Sequence, residues 1–307
     1  MSKNKTRPLN LLIVDDEKDY VESLNRDAQK YRIILKHVSS LEEGKVFLES
    51  KEGRSICGII LDVKCKKDKD QTVSDNSFIT AATKYFVEKL PDIPIVVLTG
   101  EPDQYKNLKE LYKGTWEVYS KGRDEDKILS FLINKAQELE RVKILNKYSD
   151  VFEIIENYLD DEAEEELINC LKNMNSSDFP TIKNNLSCLR RLQEKVYIAL
   201  NKLDYNLAPI EYIENGIDVT KIYKHLTEKE YVKRYSIIDR FAEVIYKITS
   251  DNGAHTPYEN PDFPPTKYTV QAVTYALLDL LLWVKNVCDG KTMQKSLKDN
   301  LISPLKS

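Results

Sequence analysis

Four short apolar runs in the first 121 residues each end on a polar side chain. The runs NLLIV, GIIL, PIVVL and WEVYS lead into Asp15-Asp16, Asp62, Thr99 and Lys121. Short runs of branched apolar residues between polar turns are typical of buried strands in a parallel sheet. Because ligands of an open α/β sheet bind beyond the carboxyl ends of its strands, we expect these side chains to meet at one edge.

Strand-like and helix-like hydrophobic patterns alternate over residues 9–121. This alternation predicts an α/β fold with a doubly wound, five-stranded parallel sheet and right-handed crossovers. From Asp124 the helical period continues to about Tyr148 without Gly or Pro, which predicts one long helix leading out of the first domain. We therefore place the first domain at residues 1–147 and expect residues 148–307 to form an all-helical second domain.

Local signals predict where several helices begin. Two segments, Ser40 to Glu43 and Thr227 to Glu230, have the capping-box pattern, and the second predicts a helix reaching about Thr249. The segment before residue 290 is apolar around most of a helical circumference, which predicts burial in a bundle or at a subunit interface. Further helical patterns cover Asp150–Asn173, Thr181–Leu203 and Tyr268–Val287.

Length, charge and cysteine usage narrow the class of protein. A chain of 307 residues is long enough for two domains. The net charge of −4 and the pI near 5.7 give no global signature of nucleic-acid binding. The five scattered cysteines form no CxxC pair, which favours a reducing cytoplasm. No apolar run approaches the roughly 18 residues of a membrane span, so we expect no membrane association.

The polar residues at the strand ends suit phosphoryl chemistry. The adjacent carboxylates of Asp15 and Asp16 repel each other unless a cation lies between them, and Mg²⁺ prefers such oxygen ligands. Asp62 can supply a third carboxylate and can act as a nucleophile toward phosphorus. The Lys121 ammonium can neutralise the transferred group, and the Thr99 hydroxyl can donate a hydrogen bond to it.

Plainer interpretations of the same residues exist. An acidic residue after a strand can be a helix N-cap, which would account for Asp16. Lys121 can be a solvated loop residue, and Thr99 can simply end a strand. The occurrence of all of these residues in order, at the ends of strands one, three, four and five, favours the chemical interpretation.

The segments LLIVDDE, GIILDV, PIVVLTG and VYSK resemble the receiver domain of two-component response regulators. The resemblance covers about residues 8–145 and implies a flavodoxin-like fold. It further implies a role for each strand-end residue. Asp62 would be the phosphoacceptor, Asp15 and Asp16 the metal-binding pair, Thr99 the switch hydroxyl, and Lys121 the lysine of the active site.

The resemblance also implies a cofactor and a partner. Mg²⁺ would be the cofactor, with Asp15, Asp16, Asp62 and the backbone carbonyl of Lys64 as its ligands. The phosphodonor would be a sensor histidine kinase or a phosphotransfer protein in a phosphorelay, and a homodimer is a further possibility.

The sequence departs from the receiver pattern in two places. The segment Val63–Asn76 is longer than usual and lacks the Met-Pro turn of the family. Lys121 is followed by Gly122 rather than proline, and Val118 stands where the family has its switch aromatic. The phosphorylation chemistry is retained, but the usual coupling of Thr99 to an aromatic side chain is not expected. The long segment carries four lysines, Lys64, Lys66, Lys67 and Lys69.

The second half of the chain contains few chemical motifs. Basic residues such as Arg190 and Arg191 are interspersed with acidic segments such as Asp160–Glu166, so DNA binding is not expected. The polar turn around His255 resembles the end of HEPN-type and abortive-infection helical domains. The arginine that precedes this histidine in active members is missing, because residues 248–250 are Ile-Thr-Ser.

Three functions follow from these patterns. The leading hypothesis is a response regulator, not an enzyme, whose helical domain binds a protein partner or a second copy of the chain. One alternative is a receiver-gated, HEPN-like ribonuclease that uses His255, although this side chain can equally satisfy backbone groups in a loop. The other alternative is a degenerate receiver that serves only as an interaction module.

Overall fold

The computed structural model describes residues 7–75, 77–251 and 263–302. The chain divides into two compact units, residues 1–147 and residues 148–307. The first unit combines a sheet with helices, and the second is built from helices in its described part.

The first unit contains a five-stranded, fully parallel sheet with the strand order β2-β1-β3-β4-β5. This order is that of flavodoxin-like doubly wound sheets, so the predicted fold class is confirmed. Every residue of the third and fourth strands is buried, as expected for a sheet covered on both faces. The strands are β1 Leu9–Val14, β2 Ile33–Val38, β3 Ile56–Asp62, β4 Ile95–Thr99 and β5 Glu117–Ser120.

Helices cover both faces of this sheet. One apolar layer packs Leu12 and Ile59 against Phe78 and Phe86, and the layer on the other face includes Leu132. The helices of this unit are α1 Lys18–Lys30, α2 Leu41–Glu49, α3 Phe78–Lys89, α4 Pro102–Leu111, α5 Glu125–Glu138 and α6 Glu140–Lys147, with a 3-10 turn at Glu52–Ser55.

The first capping box forms at the start of α2. The Ser40 hydroxyl accepts a hydrogen bond from the Glu43 amide at 3.2 Å. The Glu43 carboxylate accepts from the amide and the hydroxyl of Ser39, both at 2.8 Å, rather than from the Ser40 amide. The capping-box pattern therefore predicts this helix start correctly. The Glu43 carboxylate, however, binds the Ser39 amide in place of the Ser40 amide.

The prediction of one continuous helix from Asp124 to Tyr148 is wrong. Leu139 adopts an extended backbone conformation, with φ −63° and ψ 133°, and separates α5 from α6. Its side chain packs against the core of the sheet unit, and Val142 is buried in the same layer. Burial of these two apolar side chains therefore outweighs the local helix propensity of the segment.

The described part of the second unit is helical, which confirms the predicted class. It contains six α-helices and a 3-10 turn at Ile210–Tyr212. The α-helices are α7 Ser149–Tyr158, α8 Asp161–Asn173, α9 Phe179–Leu203, α10 Val219–Glu228, α11 Ile237–Thr249 and α12 Lys267–Ile302.

Two predicted helix boundaries in this unit are wrong. The pattern over Asp150–Asn173 contains two helices, because the Asp160 carboxylate caps α8 by accepting from the Ala163 amide at 2.8 Å. Thr227 does not begin a helix, since its hydroxyl donates to the Lys224 carbonyl at 2.8 Å near the end of α10. The cap of α11 is instead Ser236, whose side chain accepts from the Asp239 amide.

The last helix, α12, is long and apolar enough over Lys267–Gly290 to cross a membrane by length and composition, contrary to the sequence-based expectation. Of the most apolar 18-residue stretch of this helix, 50% is buried within the structure. Core helices of helical bundles meet the same criteria of length and composition. Leu277, Leu281 and Val284 are fully buried in this helix, which packs on α7, α9 and α11.

Candidate functional site

The strand order brings four strand ends to one edge of the sheet. Asp62 and Thr99 are the last residues of β3 and β4, while Asp15 and Lys121 directly follow β1 and β5. The parallel register pairs Asp62 with Leu98, and Thr99 with the residue before Lys121. The predicted site residues on these strands therefore lie at the carboxyl edge of the sheet.

Three carboxylates form the acidic part of this edge. Ligand oxygens of Asp15, Asp16 and Asp62 all lie within 4.8 Å of one another. Asp15 is fully buried, and its Oδ1 accepts from the Glu17 amide at 2.9 Å. Asp62 is 7% exposed, and its Oδ1 accepts from the Val63 amide at 2.8 Å. These backbone bonds fix one oxygen of each buried carboxylate.

The ammonium of Lys121 lies among these carboxylates. Its Nζ is 2.8 Å from Asp15 Oδ2, 3.0 Å from Asp62 Oδ2 and 3.0 Å from Glu17 Oε2. It also lies 4.9 Å from the centroid of the Tyr20 ring, a cation–π contact. Burial lowers the pKa of Lys121, but the charges of Asp62 and Asp15 outweigh burial and raise it, so the ammonium stays protonated.

The pKa values of Asp15 and Asp62 are raised, because burial outweighs the nearby Lys121 ammonium, which lowers them. Burial, followed by the charge of Asp15, raises the pKa of Asp62 to about 7 although Lys121 lowers it. Burial likewise raises the pKa of Asp15 against the effect of Lys121. One ammonium therefore leaves the site with excess negative charge, which a further cation would neutralise.

The donor set of this edge fits a divalent cation with hard oxygen ligands. Carboxylate oxygens are what Mg²⁺ binds, and the three carboxylates lie close enough to share one ion. The assignment of Asp15, Asp16 and Asp62 as its ligands stays a prediction, as does the contribution of the Lys64 backbone carbonyl.

Thr99 lies at the same edge, and its hydroxyl oxygen is hydrogen-bonded to the backbone two residues further along. The side chain is 2% exposed, and its oxygen accepts from the Glu101 amide at 3.1 Å. The Thr99 carbonyl accepts from the Lys121 amide at 2.9 Å, which ties the ends of β4 and β5 together. The hydroxyl is therefore positioned beside the site, and its role in a switch stays a prediction.

The segment after β3 is anchored to its own unit. Lys64 forms an ion pair with Glu101, and Lys67 pairs with Asp75 at 2.9 Å. Two of the four lysines of this segment thus already have acidic partners. The Ser74 hydroxyl donates to Asp16 Oδ2 at 2.9 Å, so this segment reaches the acidic site.

Val118, at the position where the resemblance to receivers would place a switch aromatic, is a core residue. Val118 of β5 is 3% exposed and belongs to the apolar layer that contains Phe78 and Phe86. The neighbouring Tyr119 packs on Phe131 on the opposite face, with ring centroids 6.3 Å apart. Coupling of the site through an aromatic at this position is therefore not available to the chain.

Three residues that contact the site were not predicted from the sequence. Glu17 and Tyr20 touch Lys121, and Ser74 touches Asp16. Glu17 carries a signal in retrospect, because it directly extends the acidic pair in LLIVDDE. The polar turn containing His255, to which a HEPN-like role was assigned, lies outside the described residues.

No family model and no curated protein match this chain. Similar solved structures include a response regulator receiver protein from Sinorhizobium medicae (16% identity, 43% of this chain, 96% of that chain, TM-score 0.33). A response regulator receiver domain protein from Clostridium thermocellum is also similar (20% identity, 45% and 98%, TM-score 0.33). The RcsB response regulator of Salmonella typhimurium, described for its conformational dynamism for DNA interaction, is similar too (17% identity, 68% and 99%, TM-score 0.32).

These similar structures are described as response regulators, and each is at most 20% identical to this chain. The flavodoxin-like fold of the first unit rests on its own strand order, and Asp15, Asp62, Thr99 and Lys121 lie at the carboxyl ends of its strands. The HEPN resemblance of the second unit stays a prediction.

Proposed function

We propose that the first unit is a receiver that accepts a phosphoryl group on Asp62 in a two-component phosphorelay. One observation carries this proposal. Asp62 Oδ2 lies 3.0 Å from Lys121 Nζ at the end of β3, beside the carboxylates of Asp15 and Asp16. A nucleophilic carboxylate, a fixed ammonium and two further carboxylates are the groups that magnesium-dependent transfer to an aspartate requires.

The two oxygens of Asp62 would have different roles. Oδ1 is held by the Val63 amide, so Oδ2, which faces Lys121, is placed to attack. Attack on the phosphorus of a phosphohistidine forms an O–P bond while the P–N bond breaks. The imidazole nitrogen leaves with the electron pair of that bond and takes up a proton. Asp62 is thereby converted to an acyl phosphate.

The remaining groups would stabilise the transferred phosphoryl. Mg²⁺, when held by Asp15, Asp16 and Asp62, supplies positive charge to the phosphoryl oxygens. The Lys121 ammonium supplies a second positive charge from its position between the carboxylates of Asp15 and Asp62. The Thr99 hydroxyl, whose oxygen accepts from the Glu101 amide, would donate its proton to a phosphoryl oxygen. Rotation toward that oxygen would weaken the bond from Glu101 and alter the start of α4.

The helical unit would be an output that binds protein rather than DNA. Its charges support this proposal, because two basic side chains on α9 are paired with carboxylates of α8 and of its N-cap. Lys195 Nζ lies 2.9 Å from Asp160 and 2.7 Å from Glu162, and Arg191 pairs with Glu166. Cations matched in this way are not free to neutralise phosphates of a nucleic acid.

The proposed setting is a reducing cytoplasm. All five cysteines lie among the described residues, are buried and form no disulfide. In this proposal the chain is a phosphoacceptor signalling protein and not an enzyme, and its partner is a histidine kinase or a phosphotransfer protein.

Metal removal tests the proposed function. Incubation of the full chain with a small acyl phosphate and Mg²⁺ should add one phosphoryl group, observed by intact-mass spectrometry. Chelation of divalent ions should abolish this addition, because the three carboxylates then lack the cation that lets an anionic donor approach. Addition that is independent of Mg²⁺, or no addition under either condition, would contradict the proposal. The second result would favour the degenerate receiver.

DNA binding by the output is tested by a mobility shift. The full chain, with and without the phosphodonor, should not retard a random-sequence DNA duplex at any salt concentration. Nonspecific binding would appear as a shift that weakens steeply as salt increases, because bound counterions are released from the DNA. Such a shift would argue that the helical unit acts on DNA.

A further inference from the structure

The long segment between β3 and α3 is fixed at two places. Near its start, backbone carbonyls of Lys66 and Lys67 accept from the first two amides of α2, at 3.0 Å and 2.9 Å. Near its end, the Asp75 amide donates to the Cys65 carbonyl at 3.0 Å, which closes the segment on itself. The segment therefore follows a defined path over the carboxyl edge of the sheet.

Asp75 anchors the end of this segment through its side chain. Its Oδ1 accepts from the amide and the hydroxyl of Ser77 at 2.7 Å and 2.8 Å, and its Oδ2 pairs with Lys67 at 2.9 Å. The hydrogen bond from Lys67, followed by those from Ser77, lowers the pKa of Asp75 to about 2. The carboxylate is therefore charged at neutral pH and holds the backbone next to Ser74.

The anchored segment delivers one hydroxyl to the acidic site. Ser74 Oγ donates to Asp16 Oδ2 at 2.9 Å, across 58 positions of sequence. Asp16 is only partly buried, whereas Asp15 and Asp62 are buried and have backbone amides on their carboxylates. Ser74 thus provides Asp16 with the kind of fixed donor that the other two carboxylates receive from their own backbone.

We propose that Ser74 is a positioning residue for the metal ligand Asp16, supplied by the long segment after β3. The inference rests on the proposed function, because it requires that the three carboxylates bind Mg²⁺. A hydroxyl held on Oδ2 leaves Oδ1 for the cation and fixes the rotation of the carboxylate. Hydrogen-bond partners of this kind orient ligands, and their removal lowers metal affinity by about 10- to 100-fold.

The test is a calorimetric titration of the full chain with Mg²⁺ alone. Ser74→Ala should weaken Mg²⁺ binding by about tenfold, at the lower end of that range, because Ser74 is exposed. Ser74→Thr keeps the hydroxyl and should restore most of the affinity. Thr72→Ala, a change at an exposed residue of the same segment, should leave the affinity unchanged.

A thermal melt without metal separates positioning from stability. All three variants should melt like the wild type in the presence of a chelator, since each changes one exposed side chain. Equal or tighter Mg²⁺ binding by Ser74→Ala, or a Ser74→Thr variant as weak as Ser74→Ala, would overturn the inference alone. A wild-type chain that binds no Mg²⁺ would overturn the proposed function and the inference with it.

Discussion

Replacing Asp62 with Asn should abolish the addition of a phosphoryl group from a small acyl phosphate. The amide has no charged oxygen to attack phosphorus, and the other two carboxylates of the cluster cannot take its place. Asp15 is fully buried, whereas Asp62 is 7% exposed, and Asp16 Oδ2 accepts a hydrogen bond from the Ser74 hydroxyl. The nucleophile is therefore specified by position as well as by chemistry.

Intact-mass spectrometry with a time course measures this effect directly. The matched control is Asp70→Asn, which makes the same chemical change at an exposed residue of the same unit and should be labelled like the wild type. A thermal melt of Asp62→Asn should show a folded protein, because Asn retains the size of the side chain and can still accept from the Val63 amide. Residual addition at the wild-type rate would show that another residue receives the phosphoryl group.

The strand-end residues could be predicted because the arrangement of a parallel sheet is encoded locally. Asp62, Thr99 and Lys121 each follow a run that buries branched apolar residues, and parallel strands direct their carboxyl ends to the same edge. Proximity of these residues also depends on the strand order, which the structure supplies and the alternating pattern does not.

Two of the wrong helix predictions, around Leu139 and from Thr227, have different physical causes. The segment around Leu139 retains full helix propensity, and only packing on the sheet favours the extended conformation. The segment from Thr227 meets the local capping pattern, but the chain leaves the helix at Glu230, where φ is 61°, and turns again at Tyr235, where φ is 64°. Packing on the sheet accounts for the first case, and the left-handed backbone of Glu230 and Tyr235 accounts for the second. The capping pattern contains neither.

Ser74 could not be found from the sequence for a different reason. The segment that carries it has neither a strand nor a helix period, so its path is set by scattered bonds to α2 and within itself. The most conspicuous feature of this segment in the sequence is its four lysines. Two of them, Lys64 and Lys67, are instead paired within the unit, and the polar residue that reaches the acidic site is an ordinary serine.

Replacing Lys121 with Met should have opposite effects on two properties of the site. The change removes an ammonium that lies 2.8 Å from Asp15 and 3.0 Å from Asp62. Addition of a phosphoryl group should slow by about 10²- to 10³-fold, as when one preorganised donor is removed from an enzyme site. Binding of Mg²⁺ should become tighter, because the carboxylates lose the cation that competes for their charge.

Slower phosphoryl addition together with tighter Mg²⁺ binding distinguishes a direct role of Lys121 in the site from a loss of folding. A misfolded site would lose both properties, and a lysine that only balances charge in the folded state would change Mg²⁺ affinity without slowing transfer. The control is Lys113→Met, which removes an exposed lysine whose Glu110 partner is also exposed and should alter neither property. Calorimetry with Mg²⁺ and the labelling time course give the two numbers. Weaker Mg²⁺ binding by Lys121→Met would show that the ammonium organises the carboxylates rather than competing for them. An unchanged labelling rate would remove Lys121 from the proposed transfer step.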